Sequence, residues 1–270
     1  MFLESSVSKR ILVSLIGIPA IIAFIESGPI ALCFALFIIN GFILRELIYL
    51  LSISSSLYTT LIYLLSIVII YFAYQQELMI ISIFGLAAII TVVGVIIYNW
   101  QITLKNMNQL GRWIFTTGIA IFLFYSISHI ILIALLGEGI KWLYLIIFSV
   151  FSSDSGAYFI GKMFGKNKMI PQISPNKTWE GAIGGMIFCL SATILISNYF
   201  DLPITTTNQI VLGFVISLLA QIGDITESAL KRLSGVKDSG TVLPGHGGFL
   251  DRIDSFIFVL PVTYYWIIII

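Results

Sequence analysis

Nine apolar runs, each close to the length of a bilayer crossing, fill most of this 270-residue chain and leave it few ways to fold. A hydrocarbon core of ~30 Å takes ~20 apolar residues in helical form. With that ruler the runs fall near 9–26, 29–51, 57–75, 78–98, 113–136, 141–160, 178–199, 207–231 and 254–270. Breaks between them coincide with Gly28-Pro29, the serines from Ser52 to Ser56, Gln75-Gln76-Glu77 and Gly137-Glu138-Gly139. Charged residues make up 10% of the chain and hydrophobic ones 59%, with a mean hydropathy of +1.05. A soluble domain carries about 25% charged residues, so this chain lacks the polar surface to stay in water. The expectation is an all-α, polytopic integral membrane protein of about nine transmembrane helices. This divides the chain into residues 1–140, expected to form five scaffold or lipid-access helices, and residues 141–270, expected to carry the polar loops.

The charges test that count. If the N-terminus and every second loop lie on one side, that side holds every Lys and Arg except Lys141. Such asymmetry marks the cytoplasmic face, so the N-terminus is expected inside and the C-terminus outside. Lys9-Arg10 and the apolar run after them imitate a secretory signal. No A-x-A-like cleavage site follows, which predicts a retained first helix. The net charge of +1 offers no broad basic face, and no nucleic-acid partner is expected.

Few ionisable groups interrupt the first five spans. Arg45 and Glu46, at the end of span two, are expected to snorkel to the interface and to pair with neighbours. His129, in span five, reads as a helix-packing histidine. Cys33 and Cys189 stand alone in apolar runs without metal-ligand spacing, which points to ordinary packing. From Ser152 onward the polar residues thicken, and the chemistry belongs there.

Three clusters stand out. In S-S-D-S-G-A-Y (152–158), Asp154 lies within an apolar run, where an ionised carboxylate costs at least ~2.5 kcal/mol. Such a group faces a wet cavity, a cation or a partner; the alternative is a packing aspartate neutralised by a lysine. In G-K-M-F-G-K-N-K-M-I-P-Q-I-S-P-N-K-T-W-E-G (161–181), Ser174-Pro175-Asn176-Lys177-Thr178 reads as a helix start. Its free N–H groups, with Lys177, suit a phosphate at headgroup depth. A general polybasic contact of Lys162, Lys166 and Lys168 with anionic lipid is the competing reading. G-A-I-G-G (181–185) is not a dinucleotide fingerprint, because no strand is expected before it; small residues there let helices approach closely.

The third cluster begins in G-D-I-T-E-S-A-L-K-R (223–232). Asp224, Glu227, Ser228 and Lys231 are spaced to share one helical face. G-V-K-D-S-G-T-V-L-P-G-H-G-G-F-L-D-R-I-D (235–254) follows. Gly245, Gly247 and Gly248 let successive N–H groups line an anion-binding concavity, with Lys237, His246 and Arg252 as donors around it. Asp251 and Asp254 open the last span, one to cap it and the other to face the site. Carboxylates beside a glycine-rich basic loop suggest Mg²⁺ held between protein oxygens and substrate phosphates. There is no Ser–His–Asp arrangement, no H-E-x-x-H and no P-loop.

The stretch from Ser228 to Asp254 resembles the signature of phosphatidate cytidylyltransferases, also called CDP-diacylglycerol synthases. S-D-S-G-A-Y-F-I-G-K and S-P-N-K-T-W-E-G resemble that family's other polar blocks, in the same order. The likeness covers roughly residues 150–260 and implies a membrane enzyme that joins CTP and phosphatidic acid, giving CDP-diacylglycerol and pyrophosphate. It implies that Asp224 and Asp251 hold Mg²⁺, alone or with a second cation, and that Asp154 and Glu227 stand behind them as further metal or supporting groups. Ser174, Asn176, Lys177 and Thr178 match the phosphate-binding segment. Lys231, Arg232, Lys237, Asp238, His246, Gly247, Gly248 and Arg252 match the surroundings of the triphosphate. In this reading Lys177, Lys231 and Arg252 act with the two aspartates in catalysis, at the cytoplasmic face of the cell inner or plasma membrane. Spans one to five are candidates for a lipid-entry groove or a homodimer contact.

Two other readings compete. A CTP-dependent polyprenol or phytol kinase pairs the same nucleotide with a lipid but transfers the γ-phosphate. A transporter for a divalent cation or organic phosphate would line its path with inward acids. Crowding of the polar groups in one half and on one membrane face favours surface chemistry over transit.

Overall fold

The computed structural model describes residues 17, 19–98, 107–236, 239, 240 and 247–270. Residues 19–26 are helical. The named helices are α1 (Pro29–Leu50), α2 (Ser56–Tyr74), α3 (Leu78–Tyr98), α4 (Gln109–Ala134), α5 (Gly139–Phe164), α6 (Trp179–Tyr199), α7 (Thr206–Leu233), α8 (Leu250–Ile253) and α9 (Val259–Ile269). Between α5 and α6 lies an antiparallel hairpin, β1 (Lys168–Ile170) with β2 (Ser174–Thr178). Among the described residues, eight helical segments are long and apolar enough to cross a membrane. They match eight of the nine expected spans, and this is a polytopic all-α membrane protein. Half of the other expected span, 9–26, lies outside the described residues, and its residues 19–26 are helical.

The chain divides into two compact units. The first comprises Met1–Leu132 with Leu230–Arg252, the second Ile133–Ala229 with Ile253–Ile270. In the first, helix ends follow the predicted breaks. Pro29 opens α1 behind Gly28, whose φ of 87° only glycine adopts freely. The Ser55 hydroxyl caps α2 by accepting the Tyr58 N–H at 3.3 Å. Small residues set the helix approaches: the Tyr63 ring covers Gly41 and its hydroxyl donates to the Phe37 carbonyl at 2.9 Å, while Tyr125 covers Gly85. His129 is buried, its Nδ1 2.8 Å from the Tyr125 carbonyl, a packing role as expected.

In the second unit α5 and α6 pack closely. A Cβ at Gly156 would meet Phe188, one at Gly184 would meet Ile160, and one at Gly185 would meet the Ser153 carbonyl. Ser149 and Thr193 join hydroxyls at 2.9 Å, and Ser153 and Ser217 at 3.1 Å. The G-A-I-G-G stretch therefore does what its small side chains predicted. A strand does precede it, against expectation. Ser174–Thr178 belongs to an antiparallel hairpin, however, and not to the parallel βαβ unit that a dinucleotide site requires.

The last span also departs from the expected 254–270. α8, a 3-10 turn at Asp254–Phe256 and α9 follow one another, and unbroken α-helix begins only at Val259. The interruption coincides with a close helix contact. The Asp254 main chain presses on Gly223 of α7, where a side chain would overlap the Asp254 carbonyl oxygen. The Asp254 carboxylate meanwhile accepts the Ser255 N–H at 2.7 Å.

Candidate active-site clusters

In the second unit, β2 delivers Lys177 and Thr178 to the start of α6. The buried Thr178 hydroxyl accepts the Gly181 N–H at 3.1 Å, so the predicted helix start is a true N-cap, one residue further on than the expected span. The hairpin is held against that first turn by Glu180, which accepts both the Asn167 N–H at 3.2 Å and its side-chain amide at 2.7 Å. Lys177 Nζ reaches Asp224 Oδ2 on α7 at 2.9 Å. Ser228, one turn along, donates to Asp224 Oδ1 at 3.4 Å, as their predicted common face requires. Glu227 is buried, Ser174 and Lys177 are half-buried, and Asn176 is exposed.

Asp154, on α5, is exposed and accepts from the Ser255 hydroxyl at 3.2–3.3 Å. Sequence reasoning singled out Asp154 and missed Ser255, since nothing in a lone serine marks it as a partner for an acid 101 positions earlier.

The first unit contains the second cluster. Lys231 Nζ lies 2.6 Å from Asp251 Oδ1, with side chains only 13% and 9% exposed. The other oxygen of Asp251 accepts the Gly248 N–H at 2.8 Å, the Ser239 N–H at 3.2 Å and the Ser239 hydroxyl at 3.0 Å. Gly247 has a φ of 82°, so glycine is required at this turn. Asp251 thus reaches back three residues to cap the turn before α8, and it is this aspartate of the predicted pair that caps. Arg232 and Arg252 are exposed, and Arg232 Nη1 donates to the Val236 carbonyl at 3.2 Å beyond the end of α7. Lys237, Asp238, Gly245 and His246 lie outside the described residues.

Glu46 corrects the expectation that it snorkels. Expected to snorkel, it is only 3% exposed. Its Oε1 accepts the Phe249 N–H at 2.7 Å; its Oε2 accepts the Leu250 N–H at 2.8 Å and the Ser239 hydroxyl at 3.1 Å. Hydrogen bonds to a charged acceptor are stronger than neutral ones, and three of them offset the cost of burial better than a reach to the interface would. The only sequence signal, an acid among Phe42, Ile43, Tyr49 and Leu50, suits donors inside the protein as well as it suits the interface. Arg45, next to it, is exposed as expected.

Whether these residues suit Mg²⁺ can be judged from their donors. Asp224 and Asp251 offer hard oxygens, as the ion prefers. Among the described residues, no group of three or more His, Cys, Asp or Glu forms a metal cage. Mg²⁺ is commonly bound through one or two carboxylates together with waters and substrate phosphates, so either aspartate suits it without such a cage. Asp224 is the more accessible, at 39% exposed. Asp251 already accepts from Lys231 and from the Gly248 and Ser239 N–H groups, and shares the Ser239 hydroxyl with Glu46. A cation there must displace one of them, and the Lys231 ammonium, on its flexible stem, is the donor that can turn to another anion.

A family model described as the cytidylyltransferase family matches residues 8–270. The chain is 40% identical over 171 residues to the phosphatidate cytidylyltransferase of Bacillus subtilis, covering 63% of this chain and 64% of that one. Over 124 residues it is 45% identical to the protein of that name from Staphylococcus saprophyticus and 47% identical to that of Staphylococcus aureus. Each of these two matches covers 46% of this chain and 48% of the relative, so the match spans about half the length of the staphylococcal proteins. With its polar clusters at the ends of apolar helices and a family match along nearly its whole length, the chain belongs to the cytidylyltransferase family.

Proposed function

We propose that this protein is a phosphatidate cytidylyltransferase that converts CTP and phosphatidic acid to CDP-diacylglycerol and pyrophosphate. The observation that carries the reading is the identity of 40% over 171 residues with a relative bearing that name. The chemistry of the two lysine–aspartate clusters agrees with it.

A non-bridging oxygen of the phosphatidate phosphate attacks the α-phosphorus of CTP. The new P–O bond forms as the bond from that phosphorus to the α,β-bridging oxygen breaks, and pyrophosphate leaves with the electron pair. The attacking oxygen is already ionised at neutral pH, so no general base is required. Lys177 and Lys231 stand paired with carboxylates and, with phosphate in place, turn their ammonium groups to the anions. Arg252 adds a charge fixed at all pH values. Thr178 caps the first turn of α6 and so fixes where Lys177 meets phosphate. Ser174, Asn176, Arg232, Lys237, Asp238, His246, Gly247 and Gly248 complete the binding of the triphosphate.

Asp224 and Asp251 are the carboxylates we assign to Mg²⁺, with Asp154 and Glu227 in support. When bound, the ion neutralises charge on the phosphates and aligns them for displacement. The one-sided distribution of Lys and Arg supports a cytoplasmic site in the plasma membrane. A homodimer through the first helices belongs to the same reading.

Purified protein with phosphatidic acid, Mg²⁺ and CTP labelled separately in the cytidine and the γ-phosphate tests this. Cytidine label entering lipid with release of pyrophosphate is the expected result. Label from the γ-phosphate entering a lipid alcohol would identify a kinase instead. Absence of turnover by folded protein would favour transport.

A further inference from the structure

We propose that Glu46, from α1, is a positioning residue that sets the geometry of the Gly247–Leu250 turn and, through it, of Asp251. The inference rests on the reading above for what Asp251 and the loop do. Glu46 and Asp251 hold one short segment between them. Glu46 takes the N–H groups of Phe249 and Leu250, and Asp251 takes those of Gly248 and Ser239. The Ser239 hydroxyl stands between the two acids, 3.1 Å from Glu46 Oε2 and 3.0 Å from Asp251 Oδ2. It has one proton to give, so a shift of Glu46 is felt at Asp251 without any larger rearrangement.

The loop is shaped to this carboxylate. A Cβ at Gly240 would come 2.9 Å from Glu46 Oε1, and one at Gly248 would overlap Ser239 Oγ and Glu46 Oε2. Phe42, one turn before Glu46 on α1, stacks on the Phe249 ring at 5.1 Å with planes 7° apart. One face of α1 therefore grips Phe249 by both its ring and its amide. This assigns α1 a part in substrate handling beyond scaffold or lipid access.

Glu46→Gln is the informative variant because its shape is unchanged. Its amide NH₂ must face one of the two backbone donors that the carboxylate accepts. In the full-length protein in detergent, hydrogen exchange at the Phe249 and Leu250 amides should accelerate by about tenfold or more, as expected for loss of a charged acceptor. The KM for CTP should rise by about tenfold while that for phosphatidic acid stays within about twofold. Should Glu46→Gln not fold, Glu46→Asp, which keeps the charge one methylene short, is measured in the same way.

Unchanged exchange at these amides would overturn the anchor. Faster exchange with unchanged kinetics, or equal effects on both substrates, would overturn the positioning role. If the wild type turns over no CTP, the proposed reaction falls and takes the kinetic half of the inference with it. The exchange data still report independently on whether Glu46 holds the loop.

Discussion

The Lys177 ammonium lies 2.9 Å from Asp224 Oδ2, with the two side chains 21% and 39% exposed. An ion pair this open to solvent contributes about 0–1 kcal/mol to stability. Lys177→Met should therefore leave thermal unfolding in detergent within a few degrees of wild type. Loss of a cation aimed at developing phosphate charge should lower turnover on the order of 10²–10³. A radiolabelled-CTP assay beside a melting curve separates the two effects. A melting temperature that fell in step with activity would make the pair structural.

The Lys231–Asp251 pair should behave in the opposite way. It is nearly buried, and Asp251 also accepts the Gly248 and Ser239 amides. Asp251→Asn puts an NH₂ group where those donors point. Breaking one side of a buried pair costs ~3–5 kcal/mol, and the lower end of that range is expected for Asp251→Asn. A double-mutant cycle with Lys231→Met, read by unfolding in micelles, should give a coupling of at least ~1 kcal/mol. Additivity would show that the two groups act separately.

Gly223→Ala should destabilise by about 1–3 kcal/mol, because the added methyl overlaps the Asp254 carbonyl oxygen and either α7 or the 3-10 turn must shift. Gly94→Ala is the matched control. Nothing lies within 4 Å of a Cβ built there, and helix propensity alone favours the change by about 1 kcal/mol. Melting temperatures of the two variants should move in opposite directions.

Orientation can be read with single cysteines in a background where Cys33 and Cys189 are replaced by alanine. A membrane-impermeant maleimide applied to intact spheroplasts should label Lys141→Cys. It should reach Lys166→Cys only after permeabilisation. The reverse pattern would invert the topology and put the polar clusters outside.

The helices were legible because apolar runs and their Gly, Pro, Ser and Gln breaks depend on local chemistry alone. Thr178 was legible as a helix start for the same reason. The hairpin was not, since β1 is three residues long and β2 contains Pro175, so neither carries an alternating pattern. The partners of the acids were beyond reach too. Asp224 and Asp251 stood out as charged residues in a polar signature, but the lysine each would face depends on tertiary placement. Glu46 was misread because the interface explains an isolated acid as readily as a distant set of amides does.

The acceptor and donors of the Glu46 anchor are made at very different times. Leu250 leaves the ribosome 204 residues after Glu46, roughly 10–40 s later at ordinary rates of synthesis. Throughout that interval α1 carries a carboxylate whose final donors do not yet exist, so water, a proton or the insertion machinery must serve it. A chain cut short before Ser239 never acquires them. Completion of the C-terminal segment is thus also the step at which α1 becomes fully compatible with its place in the membrane.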